Sequence, residues 1–184
     1  MEKEPNSERM HVNISPITPE DIYQANEVFY KTWLDTYPNE KLGITEDDIH
    51  HKFQQKDEEF FERKKKEIAN LPEGSGYLVA RVEDKIVGVV IYFSNKELNE
   101  IKAIYVLPEY QGHGIGFKLW KEALLDFDDT KDSFVNVADY NKNAIAFYEK
   151  LGFVDTGNRF ADERFKLKSG SVIPEMRMIR KAGI

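Results

Sequence analysis

Cysteine is absent from all 184 residues, which excludes a disulfide framework, a thiolate nucleophile and any cysteine-ligated metal site. Long apolar runs are also missing. The longest, residues 86–93, falls well short of the roughly 20 residues needed to span a bilayer. The first ten residues, MEKEPNSERM, contain no hydrophobic signal core, so the expected location is cytoplasmic. There is no Gly-Lys-Ser/Thr tripeptide, so no Walker A loop, and no G-x-S-x-G elbow, which disfavours a serine hydrolase. Histidines number four, and the adjacent pair His50-His51 would diverge by about 100° on a helix. No third ligand accompanies them, and no metal is expected. Positive charge is in deficit, with 26 Lys and Arg against 33 Asp and Glu, a net charge of −7. That argues against nucleic acid as the main partner, since duplex binding rests on neutralising phosphates. It is compatible with a cationic amine. No internal repeat is visible, and the length suits one domain with a full core.

Glycine is scarce overall but concentrated at one place. Residues 101–125 read IKAIYVLPEYQGHGIGFKLWKEALL. A β-branched strand through Ile104, Tyr105 and Val106 is stopped at Pro108, which has no N–H to continue a ladder. Three alternate glycines, Gly112, Gly114 and Gly116, then lead into an amphipathic helix marked by Ile115, Leu119, Ala123 and Phe127. The first helical turn has N–H groups without intrahelical partners and the positive end of the macrodipole. Glycines remove side chains that would hold an anion away. A phosphate-bearing ligand at residues 111–116 is the first inference. The spacing is not the dinucleotide fingerprint, because G-x-G-x-x-G counted from Gly112 ends on Phe117.

Gln111-Gly112-His113-Gly114-Ile115-Gly116 matches the Q/R-x-x-G-x-G/A acyl-CoA loop, and the chain resembles the GCN5-related N-acetyltransferase (GNAT) superfamily. Ile104-Tyr105-Val106 resembles that family's pantetheine-binding strand. Residues 141–153, NKNAIAFYEKLGF, are similar to its later motif. The resemblance covers about residues 76–160. The shorter Trp33-Leu34-Asp35-Thr36-Tyr37 resembles the branch containing polyamine acetyltransferases.

Periodicity predicts a strand over 11–17 and a helix entered at Thr18-Pro19, with Ile22, Ala25, Phe29 and Trp33 facing the core. A peripheral charged helix follows over 45–70, capped by Thr45. Strands are predicted over 77–82, 86–93, 98–106, 134–138, 153–157 and 172–179, with a helix over 141–151. Residues 1–10 form a loose tail and 11–184 a single domain. The resemblance implies an α+β fold. It would have a central mixed, mostly antiparallel sheet of about seven strands and four flanking helices, with strands 4 and 5 parallel and splayed.

The resemblance further implies an acetyl group moved from acetyl-CoA to a primary amine by direct attack through a tetrahedral intermediate. Cofactor contacts would come from Ile104, Tyr105, Val106, Gln111, Gly112, His113, Gly114, Ile115, Gly116, Asn141 and Tyr148. His113 is expected to use its backbone alone. Asn141 has a second reading as a helix N-cap. Tyr148 corresponds to the family tyrosine near the cofactor sulfur, and its other reading is a core aromatic beside Ala144 and Leu151. A phenol with pKa about 10 does not fully protonate a thiolate of about 8.5, so a hydrogen bond to departing sulfur is the expected role. Glu100 is the candidate base, acting directly or through water, and its other reading is a surface glutamate. The implied partner is a small-molecule or protein amine, with no nucleic acid, no membrane, and a monomer or homodimer. Two other classes stay open: a non-catalytic acyl-CoA sensor, and an interaction domain using the charged 45–70 surface.

Overall fold

Seven strands form one sheet in a computed structural model that describes residues 10–183. The strands are β1 (Val12–Pro16), β2 (Ser75–Val82), β3 (Lys85–Ser94), β4 (Asn99–Val106), β5 (Ser133–Ala138), β6 (Val154–Ala161) and β7 (Pro174–Arg180). Their order is β1-β2-β3-β4-β5-β7-β6, antiparallel throughout except for the β4–β5 pair. This is the arrangement expected from the resemblance. The tail assigned to residues 1–10 lies outside the described residues, apart from Met10, which packs against the core.

The nearly continuous apolar run of β3 makes it the central strand, buried from Ile86 to Val90. Helix α1 (Ile22–Thr36) packs on β3 and β4. It starts after a short 3-10 turn at Pro19–Asp21, where the Asp21 carboxylate accepts from the Thr18 N–H (2.8 Å) and from Arg81 (2.6 Å). Helix α4 (Ile115–Leu124) buries Ile115, Leu119, Trp120 and Ala123 in the same core, and α5 (Lys142–Lys150) contributes Tyr148.

The single helix expected over 45–70 is two helices, α2 (Glu46–Gln54) and α3 (Glu58–Ala69), which makes five flanking helices rather than four. Thr45 does cap the first, accepting from the Asp48 N–H while Asp48 accepts from Thr45 in return. The break comes at Asp57, whose carboxylate accepts from the Phe60 N–H at 2.9 Å and starts a second helix. Two acids behind it, Glu58 and Glu59, suit a new N-terminus.

Two features of β4 position the site. Its pairing with β5 covers only Asn99–Ser133, Glu100–Phe134 and Ile101–Val135, then stops. Beyond that point β4 bonds β3 alone and β5 bonds β7 alone, so the sheet opens into a cleft. The register with β3 also slips: Tyr92 opposes Ile101 and Ile91 opposes Ala103. Lys102 is the extra residue of a β-bulge, which breaks the simple alternation along the strand.

Candidate active site

The cleft between the parted strands has a volume of about 710 Å³. The Leu107-Pro108 stop leads through a 3-10 turn, Pro108–Tyr110, to the glycine loop. Gln111 fastens the loop back to the strand, its amide donating to the Val106 carbonyl at 3.1 Å. Gly112 and Gly114 have φ of 77° and 76°, in the left-handed region, and Gly114 is the N-cap of α4. A Cβ on either would meet no atom within 4 Å, so backbone conformation rather than crowding demands glycine there.

Most of the predicted loop residues, Gln111, Gly112, Gly114, Ile115 and Gly116, line the cleft together with Ile104, Tyr105 and Val106. The His113 side chain does not. It is exposed, and its Nδ1–H donates to the Gln111 carbonyl at 2.8 Å, which leaves only its backbone for a ligand. Although the whole chain is acidic, the charged side chains lining the cleft are Lys102, Lys142, Lys150 and one acid, Asp35. That local excess of positive charge, with unpaired N–H groups at the start of α4, suits an anionic ligand.

Asn141 does cap α5, accepting from the Ala144 N–H at 3.0 Å, and it also lines the cleft. Tyr148, two turns further, is 4% exposed and lines the cleft, and its hydroxyl makes no hydrogen bond among the described residues. Burial, and secondarily its neighbour Tyr105, holds the phenol well above its ordinary pKa. It stays protonated and its donor is unengaged.

Three further tyrosines meet across the cleft, Tyr105 from β4 and Tyr37 and Tyr140 from the facing side. The Tyr37 and Tyr105 hydroxyls are 2.9 Å apart, and Tyr140 donates to the Tyr37 carbonyl at 2.9 Å. Burial pushes all three phenols up, Tyr140 to about 12 with help from Asp139. The Trp33 ring lies 4.5 Å from that of Tyr37, and its buried indole N–H lacks a partner. Glu175 adjoins this cluster from β7, in register with Ala138 and Phe160, and its charge helps to raise both Tyr37 and Tyr105. It is half-buried and bonded to no other side chain among the described residues. Burial, and then Asp162, raises its carboxyl above the ordinary range. Arg177, two residues on, is turned instead onto the Phe134 ring (4.4 Å) and Asn136 (3.0 Å).

The structure does not bring Glu100 to the cleft lining. It sits where β4 and β5 are still paired, opposite Phe93 and Phe134, and its carboxylate is tied to Lys102 in an ion pair. The bulge at Lys102 separates it from the Ile104 to Val106 segment. Sequence reading missed Glu175 and the Tyr37–Tyr140 contact. The alternation of Glu175, Met176, Arg177 and Met178, with both methionines buried, was the available signal for an outward carboxylate at the start of β7. His50 is engaged by the Tyr30 hydroxyl (2.7 Å) and His51 by the Gln55 amide (2.6 Å), on separate faces of α2.

A family model described as the acetyltransferase (GNAT) family matches residues 26–153. An uncharacterized N-acetyltransferase of Methanocaldococcus jannaschii is 37% identical over 87 residues, which is 42% of this chain and 38% of that protein. The peptidyl-lysine N-acetyltransferase YjaB of Escherichia coli is 29% identical over 93 residues, 50% of this chain and 58% of that protein. The matched stretches therefore span about 38% to 58% of the length of the curated relatives. Among solved structures, PaiA N-acetyltransferase from Thermoplasma acidophilum, crystallised with coenzyme A, is similar with a TM-score of 0.68 and 23% identity, covering 94% of this chain and 99% of that one. The family match runs from α1 to the end of α5, across the splayed strands and the glycine loop alike, and the chain belongs to the acetyltransferase (GNAT) family.

Proposed function

We propose that the protein transfers the acetyl group of acetyl-CoA to a primary amine by direct attack. The observation that carries this reading is one cleft holding three things together: the helix N-terminus behind Gly114, the unpaired edge of β4, and the unengaged Tyr148 hydroxyl. The loop N–H groups and the lysines would take the pyrophosphate. The amide-rich pantetheine arm would pair with β4 at Ile104 to Val106 as an added strand. A backbone N–H of that same edge would hold the tetrahedral oxyanion, a preorganised donor of a kind often worth about 3 kcal/mol.

Two proton movements complete the reaction. Because Tyr148 is buried, its phenol is a weaker acid than in water, and giving up its proton outright is more uphill still. Its role is to donate a hydrogen bond to the departing thiolate. At the other end, the attacking nitrogen must lose a proton. Glu175 is the carboxylate adjoining the tyrosine wall, and its raised pKa brings it nearer to working pH. Glu100 would act only through water, across the bulge and away from its Lys102 partner.

The test is CoA release and acceptor mass measured with acetyl-CoA and a panel of amines. The panel includes polyamines, small metabolite amines and a lysine peptide, the last prompted by the relative whose name specifies peptidyl-lysine. Amine-dependent CoA release with a matching acetylated product is expected. Retained acetyl-CoA binding with no turnover on any amine would favour the sensor reading instead.

A further inference from the structure

We infer that a second, smaller cavity between α1, α3 and the sheet is a binding site for a compact carboxylate with an apolar body. The cavity has a volume of about 240 Å³ and shares no lining residue with the cleft. It lies below the usual range for drug-sized ligands, so its occupant is small. Ile22, Phe29, Phe60 and Ile91 supply apolar walls. The polar groups are Lys56, Lys64, Tyr77 and Asn26, with no carboxylate among them.

Lys56 is the centre of the site. It lies in the break between α2 and α3, and its ammonium donates to the neutral Asn26 Oδ1 at 2.6 Å. Its other neighbours are ring faces, Phe53 at 3.8 Å and Phe60 at 5.1 Å. No acid pairs with it among the described residues. Lys64 reaches the same cavity while holding Glu67 on the outer surface at 2.5 Å. The Tyr77 hydroxyl makes no hydrogen bond among the described residues, although the residue is buried.

Lys56 is half-buried, and ammonium groups withdrawn from water are ordinarily paired, because leaving the charge uncompensated in a poorly solvated place is costly. Here the fold gathers two ammonium groups, a phenol and apolar walls; Glu67 holds Lys64 from the outer surface, and no anion among the described residues pairs with Lys56. Burial first, and then repulsion from Lys52 and Lys64, brings the Lys56 amine down to about 8, so it is still largely charged at neutral pH. An incoming carboxylate would offset the charge of Lys56 and Lys64 and accept from Tyr77, while its apolar body covered Phe29 and Ile91. An amine would add repulsion, and a neutral alcohol would leave the charges as they are.

The experiment titrates the whole chain with hexanoate, hexanol, hexylamine and inorganic phosphate, following backbone NMR shifts of Tyr77 and Ile91. Saturable binding of hexanoate is expected, at least tenfold tighter than each of the other three. Lys56→Met should remove that preference and Lys56→Arg should keep it. Circular dichroism shows that each variant is folded. If Lys56→Met does not fold, Lys64→Gln should weaken hexanoate several-fold without affecting hexanol. Binding should persist in Gly114→Val, whose lesion is in the separate cleft. Equal binding of hexanoate and hexanol, phosphate binding as tight as hexanoate, or no saturable shift with hexanoate would each overturn the assignment.

Discussion

From Ile101 to Leu124 one uninterrupted stretch supplies strand edge, turn, glycine loop and helix N-terminus. The opposite wall of the cleft is assembled from the end of α1 and the turn before α5, with the start of β7 adjoining it from behind the lining. The first wall works through backbone: left-handed glycines, unpaired N–H groups and an open strand edge. The second works through side chains brought together over long sequence distances. Tyr140 reaches Tyr37 across 103 positions. Ser169 reaches Asp48 across 121, pinning the loop before β7 onto α2. A ligand gripped through backbone constrains few side chains and leaves a short motif. A ligand shaped by side chains from distant elements leaves none. We therefore propose that acetyl-CoA is held by the first wall and that the acceptor is chosen by the second.

The largest effect should come from breaking the backbone wall. Gly114→Val places a β-branched residue at φ 76°, where L side chains are strained, and forces the loop to rearrange. Acetyl-CoA at 100 times its dissociation constant should stabilise the parent by about 2.7 kcal/mol. The variant should fold and lose that shift entirely. A thermal shift equal to the parent's would detach the cofactor from this loop.

Next in size is the side-chain wall. Glu175→Gln should lower kcat/KM by about 100-fold, the lower end of what a positioned base contributes. The deficit should shrink as pH rises and unprotonated amine becomes available without help. Glu100→Gln should cost little, because its carboxylate is already held by Lys102 in an ion pair. The groups around Glu175 that could distort its profile are Tyr37, Tyr105 and Asp162. The phenols are held too high to titrate in the same range. Superimposable pH profiles for the parent and Glu175→Gln, with a displaced one for Glu100→Gln, would reverse the two assignments.

A smaller effect is expected at the junction of the walls. Tyr148→Phe keeps the ring contacts with Phe147 and Phe153 and deletes only the donor. A hydrogen bond to a charged group is worth about 1.5–3 kcal/mol, so kcat should fall at least about tenfold. The cofactor-dependent thermal shift should stay as in the parent. Unchanged kcat would return Tyr148 to the role of a core aromatic.

The same contrast accounts for what was legible in the sequence. Strand positions came from alternation and from the apolar run of β3, and the glycine loop from three residues at fixed spacing. Asn141 could be read both ways because an N-cap and a ligand contact use the same short side chain, and it serves as cap while lining the cleft. Glu100 lies off the cleft lining for a physical reason. Facing by twos holds only in a regular strand, and the extra residue at Lys102 resets it. The helix break at Asp57 was visible only in retrospect, because acids and lysines read equally well as one charged surface. The alternation at the start of β7 marks Glu175 as an outward carboxylate, but nothing near it in sequence announces Tyr37 or Tyr105.

The smallest effect tests whether the side-chain wall depends on its remote tether. Asp48 is buried, which alone would raise its carboxyl, yet hydrogen bonds from Thr45 and Ser169 outweigh burial and hold it below the ordinary value. A folded-state pKa below the unfolded one means that the fold favours the ionised form. The resulting stability is fully present above the unfolded value of about 3.9 and is lost as pH falls through the folded one. Asp48→Asn should therefore cost about 1–2 kcal/mol at neutral pH, the range of a lost helix cap. The gap between parent and variant should narrow steadily below about pH 4, where the parent's own carboxylate becomes protonated. Because the Ser169 N–H loses its charged acceptor, the loop before β7 should loosen and the KM for the amine should rise. The KM for acetyl-CoA, gripped by the other wall, should not move. A stability gap independent of pH, or parallel rises in both KM values, would show that Asp48 supports the whole domain and that the two walls are not separately built.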